Sequence, residues 1–134
     1  MALSEYVLGL QHIGIPTSDL QQSSDFFQSL GFEIIQKEQI PNSERKVEFL
    51  QCKDVVVEVY EEEGMVVPRA IGAIDHIAFD IQNIQEAFEQ AKENKLHLLQ
   101  NEIQFLPFGE HGVLYFSILG PNNVVIEYNQ KLKG

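Results

Sequence analysis

HIGIPTSDLQQSSDFFQSLGFEI, residues 12–34, decides how this chain is read. It opens on apolar residues alternating with small or polar ones, the period of a strand. It then shifts to a helical period, with Leu20, Phe26, Phe27 and Leu30 at helix spacing. Ser18 with Gln21 fits a capping box at the helix start. Gly31 supplies a left-handed residue to end the helix. Further on, HIAFDIQNIQEAFEQAKENKL, residues 76–96, repeats the plan. At one constant offset His12 falls on His76, Ile13 on Ile77, Leu20 on Ile84 and Phe32 on Leu96. Asn83 with Glu86 is the second capping pair, and Asn94 stands near the place of the terminal glycine, because Asn tolerates a left-handed backbone.

Three more strands follow each helix. In the first half they are FEIIQK, KVEFLQC and VVVEVYE, the last two joined by a tight hairpin at Lys53-Asp54. In the second half they are HLLQNEIQF, VLYFSI and VVIEYN, with a turn at Gly120-Pro121-Asn122-Asn123. The pattern predicts an α+β chain of two βαβββ modules within one domain, residues 1–134. Module one covers about 8–61, a linker 62–73, and module two about 74–129. Glu61 to Glu63 reads as a solvated loop, and LPFGEHG, residues 106–112, is the other long connection. Long loops in a small domain often border a site.

Composition narrows the function classes. A chain of 134 residues with 44% hydrophobic residues suits one domain with a real core. No apolar run reaches the length of a membrane span. MALSEYVLGLQ has no basic n-region and does not read as a signal peptide. The single cysteine, Cys52, rules out a disulfide framework and favours a reducing cytoplasm; its simplest role is a small core residue. A net charge of −11 repels nucleic acid and anionic lipid, leaving a small molecule as the expected partner.

Glu58 in VVVEVY and Glu127 in NVVIEY complete the repeat. Each half offers one histidine in its first strand and one glutamate in its last. A lone histidine on a strand is usually a satisfied core or surface residue, and a lone glutamate usually points to water. Matched placement of all four is what points to a site. A carboxylate inside an apolar run needs a cation, donors or a raised pKa. His12, Glu58, His76 and Glu127 together form a mixed nitrogen and oxygen donor set, suited to one divalent Ni, Co, Mn or Zn ion. His97 has no such counterpart and reads as a surface residue, while His111, between Gly109 and Gly112, is a candidate substrate contact.

From Leu8 to Asn129 the chain resembles the vicinal oxygen chelate superfamily, the glyoxalase, bleomycin-resistance and extradiol dioxygenase group. HIGIPTSDLQQSSDFFQSLGFEI is similar to its opening segment, and LGPNNVVIEY resembles its closing one. The resemblance implies that the two modules form an open eight-stranded barrel-like sheet around a metal site. His12, Glu58, His76 and Glu127 match the four metal ligands of glyoxalase I (lactoylglutathione lyase) proteins. What this implies is a metal-dependent lyase or isomerase, with an enediolate reached from a small carbonyl or hemithioacetal substrate. Glu127 is then the general base and Glu58 lies on the other face of the substrate. The same resemblance implies a homodimer, with the site inside one chain or shared by two.

Two positions depart from bacterial-type glyoxalases: Pro16 replaces an arginine and Glu62 an asparagine that serve glutathione there. A methylmalonyl-CoA epimerase-like enzyme is the alternative; that family usually has glutamine at the position of Glu58, and a coenzyme A substrate favours basic residues, of which Arg45 and Arg69 are the only arginines. Fosfomycin-resistance enzymes normally lack the equivalent of Glu58, and ring-cleaving dioxygenases use only two histidines and one carboxylate. A ligand-sequestering protein of the bleomycin-resistance type, which usually lacks metal ligands, is the non-catalytic alternative.

Overall fold

The computed structural model describes residues 2–62, 74–120 and 125–134. Most of the expected linker and most of the Gly120–Asn123 turn lie outside the described residues. The chain divides into two compact units, His12–Asp75, and Met1–Gln11 with His76–Gly134. Each is a βαβββ module, so the fold is α+β as its two periodicities predict.

In the first unit, β1 (Val7–Thr17, of which His12 onward belongs here) leads into α1 (Leu20–Ser29), β2 (Glu33–Gln39), β3 (Lys46–Cys52) and β4 (Val55–Glu61). Strand order is β2-β3-β4-β1. β1 and β4 run parallel, and the remaining neighbours pair antiparallel. Lys53 takes a left-handed backbone, φ 56°, between β3 and β4, which closes the hairpin in two residues. Leu20, Leu50, Val57 and Val59 form the core, with Ile13, Ile15, Phe27, Phe32 and Ile34 against them.

The start of α1 corrects the sequence reading by one residue. Asp19, not Ser18, is the cap; its Oδ1 accepts from the Gln22 amide at 3.0 Å. Thr17 holds it in place, its Oγ1 accepting from the Asp19 amide at 3.0 Å. The apolar stripe is also narrower than the spacing implied. Leu20 is buried, but Phe26 is 58% and Leu30 57% exposed, and the other buried helix residue is Ser24, whose hydroxyl donates to Glu48.

The second unit holds a 3-10 turn at Leu3–Tyr6, the Val7–Gln11 part of β1, β5 (His76–Ile81), α2 (Ile84–Glu93), β6 (Gln104–Leu106), β7 (Val113–Leu119) and β8 (Val125–Lys131). Strand order is β5-β8-β7-β6, with β5 parallel to β8. The strand expected over HLLQNEIQF is mostly irregular; only Gln104–Leu106 forms β6, with an isolated bridge from Leu98 to Ile118. Asn83 precedes α2 but makes no side-chain cap. Gln130 of β8 does that work from afar, its Oε1 accepting from the Ile84 amide at 2.9 Å. At the other end Lys95, not Asn94, is left-handed, with φ 57°. Ile81, Ile84, Ala87, Phe88, Ala91, Phe116 and Tyr128 build the core.

Candidate metal centre

Strand pairing places the first histidine beside its glutamate. β1 and β4 lie parallel with Gly14 opposite Glu58, two residues after His12. His12 Nε2 then stands 3.4 Å from Glu58 Oε1. Phe49, opposite Glu58 on β3, packs edge-on to the imidazole at 5.6 Å. In the second unit Ala78 lies opposite Glu127, again two residues after the histidine. His76 Nε2 stands 3.6 Å from Glu127 Oε1. The residues at these opposing positions are small, a glycine in one unit and an alanine in the other.

All four side chains are largely withdrawn from water: His12 is 2%, His76 9%, Glu58 13% and Glu127 14% exposed. Desolvated carboxylates are costly unless donors or a cation meet them. The nitrogen–oxygen separations are longer than a good N–H···O hydrogen bond. Two ligand atoms about 2.1 Å from one ion and at right angles lie about 3 Å apart, so each pair is spaced nearly as neighbouring ligands would be. The donor chemistry and this spacing fit a divalent metal.

The family model described as "Glyoxalase/Bleomycin resistance protein/Dioxygenase superfamily" matches residues 9–127. The chain belongs to this superfamily. Its curated relatives include the mitochondrial methylmalonyl-CoA epimerases of Bos taurus and Homo sapiens, each 24% identical over 90% of this chain and 73% of the relative. Among solved structures, the methylmalonyl-CoA epimerase of Mycobacterium tuberculosis is similar in fold, with TM-score 0.78 and 17% identity over 99% of this chain and 94% of that one. A hypothetical protein of Bacillus halodurans gives TM-score 0.72 and 25% identity over 93% and 95%.

Around its two pairs this superfamily member carries polar residues that sequence reading missed. Asn129 follows Glu127 by two positions on β8, is buried, and donates from Nδ2 to Glu127 Oε2 at 3.0 Å. Gln11 donates from Nε2 to Asn129 Oδ1 and to Asp80 Oδ1, both at 3.0 Å. In the first unit Tyr60 takes the position corresponding to Asn129, two after Glu58. Burial first, then the Asp75 carboxylate to which it donates, push its phenol far above the ordinary tyrosine value. Amide and phenol side chains gave no signal in the sequence because they are not metal ligands and share no motif.

His97 is exposed, as its lack of a counterpart suggested. His111 is also exposed, near Glu110 Oε2 at 3.7 Å. Cys52 is a free, half-buried thiol at the end of β3. A cavity of about 450 Å³ opens beside the start of α1, lined by residues that include Asp19, Lys37, Lys46 and Glu48 but neither His12 nor Glu58. No helix among the described residues is long and apolar enough to cross a membrane.

Proposed function

We propose that this chain is a glyoxalase I-like enzyme, a carbon–sulfur lyase of the lactoylglutathione lyase kind. His12, Glu58, His76 and Glu127 would hold one divalent ion, Ni, Co, Mn or Zn. The observation that carries the reading is the repeated register: in both units a glutamate on the last strand meets the histidine of the first, opposite a small residue. A cation at these donors supplies Lewis acidity toward a carbonyl oxygen. The protein's own part is proton transfer. Glu127 takes the proton from the carbon bearing the sulfur adduct and returns it to the neighbouring carbon, while the adduct's hydroxyl proton passes to the former carbonyl oxygen, so no net proton is gained or lost. Glu58 lies on the opposite face of the substrate. Low solvent access around both carboxylates protects the carbanionic intermediate from stray protonation. The net charge of −11 and the single cysteine support a small carbonyl or thiol-adduct substrate in the cytoplasm. A homodimer, with the donors completed in one chain or by two, belongs to the same proposal.

The curated relatives favour a second reading, epimerisation of a methylmalonyl-CoA-like thioester. It uses the same acidity differently: one carboxylate removes a proton from a carbon and the other returns one to its opposite face. Glu58 itself, in place of the usual glutamine of that family, weighs toward the lyase. A metal-free sequestering protein is the third outcome to be tested.

Metal content of the purified protein decides first, followed by hemithioacetal isomerisation after reconstitution with each candidate metal. Methylglyoxal is supplied with glutathione and, separately, with other small thiols. About one metal per four-ligand site with turnover supports the lyase, and the preferred thiol accounts for Pro16 and Glu62. Metal without that turnover, but with epimerisation of methylmalonyl-CoA, moves the function to the second reading. No metal under any condition sinks the four-ligand site. Size-exclusion mass and subunit-mixing of inactive His12 and His76 variants separate a site in one chain from one across a dimer.

A further inference from the structure

We infer that Asn129 is a positioning residue that orients the Glu127 carboxylate, with Gln11 fixing the orientation of Asn129. The inference rests on the proposed role of Glu127 but stands on geometry of its own. Asn129 is 5% exposed, and its two amide atoms face different partners. Nδ2 donates to Glu127 Oε2 at 3.0 Å, and Oδ1 accepts from Gln11 Nε2 at 3.0 Å. Gln11 cannot be turned round without cost. Its amide nitrogen faces Asp80 Oδ1 at 3.0 Å and the Asn129 backbone carbonyl at 3.2 Å as well, and all three are acceptors. The Asn129 amide is therefore held with its N–H toward the glutamate.

Glu127 Oε2 is thereby engaged, while Oε1 is the atom that faces His76. The network divides the two carboxylate oxygens by role. A hydrogen bond to one oxygen also fixes the plane of the carboxylate, which sets the direction in which the other presents its lone pair. Strand geometry makes the arrangement rigid. Glu127 and Asn129 share one face of β8, Asp80 pairs with Asn129 across β5, and Tyr128 between them is buried in the aromatic core. Side chains of this kind commonly change metal affinity or activity by roughly 10- to 100-fold when removed.

The test is a double-mutant cycle on the full chain, reading cobalt affinity by chelator competition. Asn129→Ala is expected to weaken cobalt binding by roughly 10- to 100-fold in the wild-type background. In a Glu127→Ala background the same change should cost less than about threefold, because its partner is gone. The absorption spectrum of the cobalt-loaded protein should shift in Asn129→Ala but not further in the double variant. A merely structural asparagine would lower affinity equally in both backgrounds and leave the spectrum alone, and that result overturns the inference. If Asn129→Ala does not fold, the near-isosteric Asn129→Asp, which loses the donor, and Gln11→Leu, which releases the amide, take its place. If the wild type binds no metal, the function proposed above fails on its own. The cycle is then read on the folding equilibrium of the metal-free protein, where coupling of roughly five- to tenfold supports the inference and additivity overturns it.

Discussion

The two units of this chain share a plan and differ in almost everything that fills it. The first has an aliphatic core of Leu20, Leu50, Val57 and Val59. The second has an aromatic one, in which Phe116 stacks on Tyr128 and meets Phe88 edge-on, both at 5.1 Å. Yet the register is the same in both, with the glutamate opposite the residue two after the histidine. In each, core side chains on the strand lie directly beside the glutamate in sequence: Val57 and Val59 around Glu58, Ile126 and Tyr128 around Glu127. Backbone pairing therefore fixes the His–Glu geometry, and the cores only have to hold the strands. The polar support differs too: Tyr60 with Asp75 in one unit, Asn129 with Gln11 in the other.

If that asymmetry has a chemical purpose, the two glutamates are unequal in turnover. Glu127→Gln should lower kcat by roughly 10²- to 10⁴-fold, the scale of a lost general base, while weakening metal binding only in part. Glu58→Gln should cost far less in a one-base proton shift between adjacent carbons. Equal losses in steady-state assays of both variants would mean a two-base epimerisation instead. Normal activity in Glu127→Gln would remove it as the base altogether.

The cores give the next largest contrast. Phe116→Ala deletes a fully buried ring with two aromatic partners and should cost about 3–5 kcal/mol. Leu50→Ala, fully buried in the aliphatic core, should cost about 2–5 kcal/mol. Denaturant unfolding measures both. A loss near zero for Phe116→Ala would mean that the aromatic stack does not hold β8.

How far this was legible in sequence follows the range of the forces involved. β3, β4, the hairpin at Lys53 and both helices are local features, and their periods and turn residues announce them. The four candidate ligands were legible through the repeat, since no single one of them stands out alone. Caps were less so. Ser18 and Asp19 are both good cap residues, and the contact with Thr17 selects Asp19. Asn83 loses its role to Gln130, a residue of another strand that no local pattern reveals. β6 shrinks because Ser117 and Leu119 pair with Gln100, His97 and Leu99 through scattered bonds rather than a ladder. Asn129 and Gln11 were invisible because an amide matters only through where its two ends point.

Helix ends give a smaller, paired effect. Gly31 and Lys95 occupy equivalent places after α1 and α2, and both have positive φ, 103° and 57°. Glycine adopts such angles with the least strain, and lysine, unlike asparagine, has no short polar side chain to ease them. Gly31→Ala should destabilise by about 1 kcal/mol, and Lys95→Gly should stabilise by about 0.5–1 kcal/mol. Opposite signs in thermal unfolding are expected; the same sign in both would mean that the two ends are not equivalent.

The smallest effect is the most specific to the first unit. Tyr60 is held protonated by burial and by its bond to Asp75, so its folded pKa lies above the ordinary 10.0. Below pH 10 both folded and unfolded chains keep that proton. Above it the unfolded chain releases the proton while the folded one retains it, so the unfolded state binds fewer protons and stability falls as pH rises. Tyr60→Phe removes this contribution. Its denaturant midpoint should decline less steeply than that of the wild type between about pH 9 and about pH 11, with no difference in slope near neutrality. Asp75→Asn should flatten the same limb partly, because burial, the larger cause, remains. An unchanged alkaline limb in Tyr60→Phe would mean that the phenol is not locked to Asp75, and the contrast with the amide network around Glu127 would lose its first half.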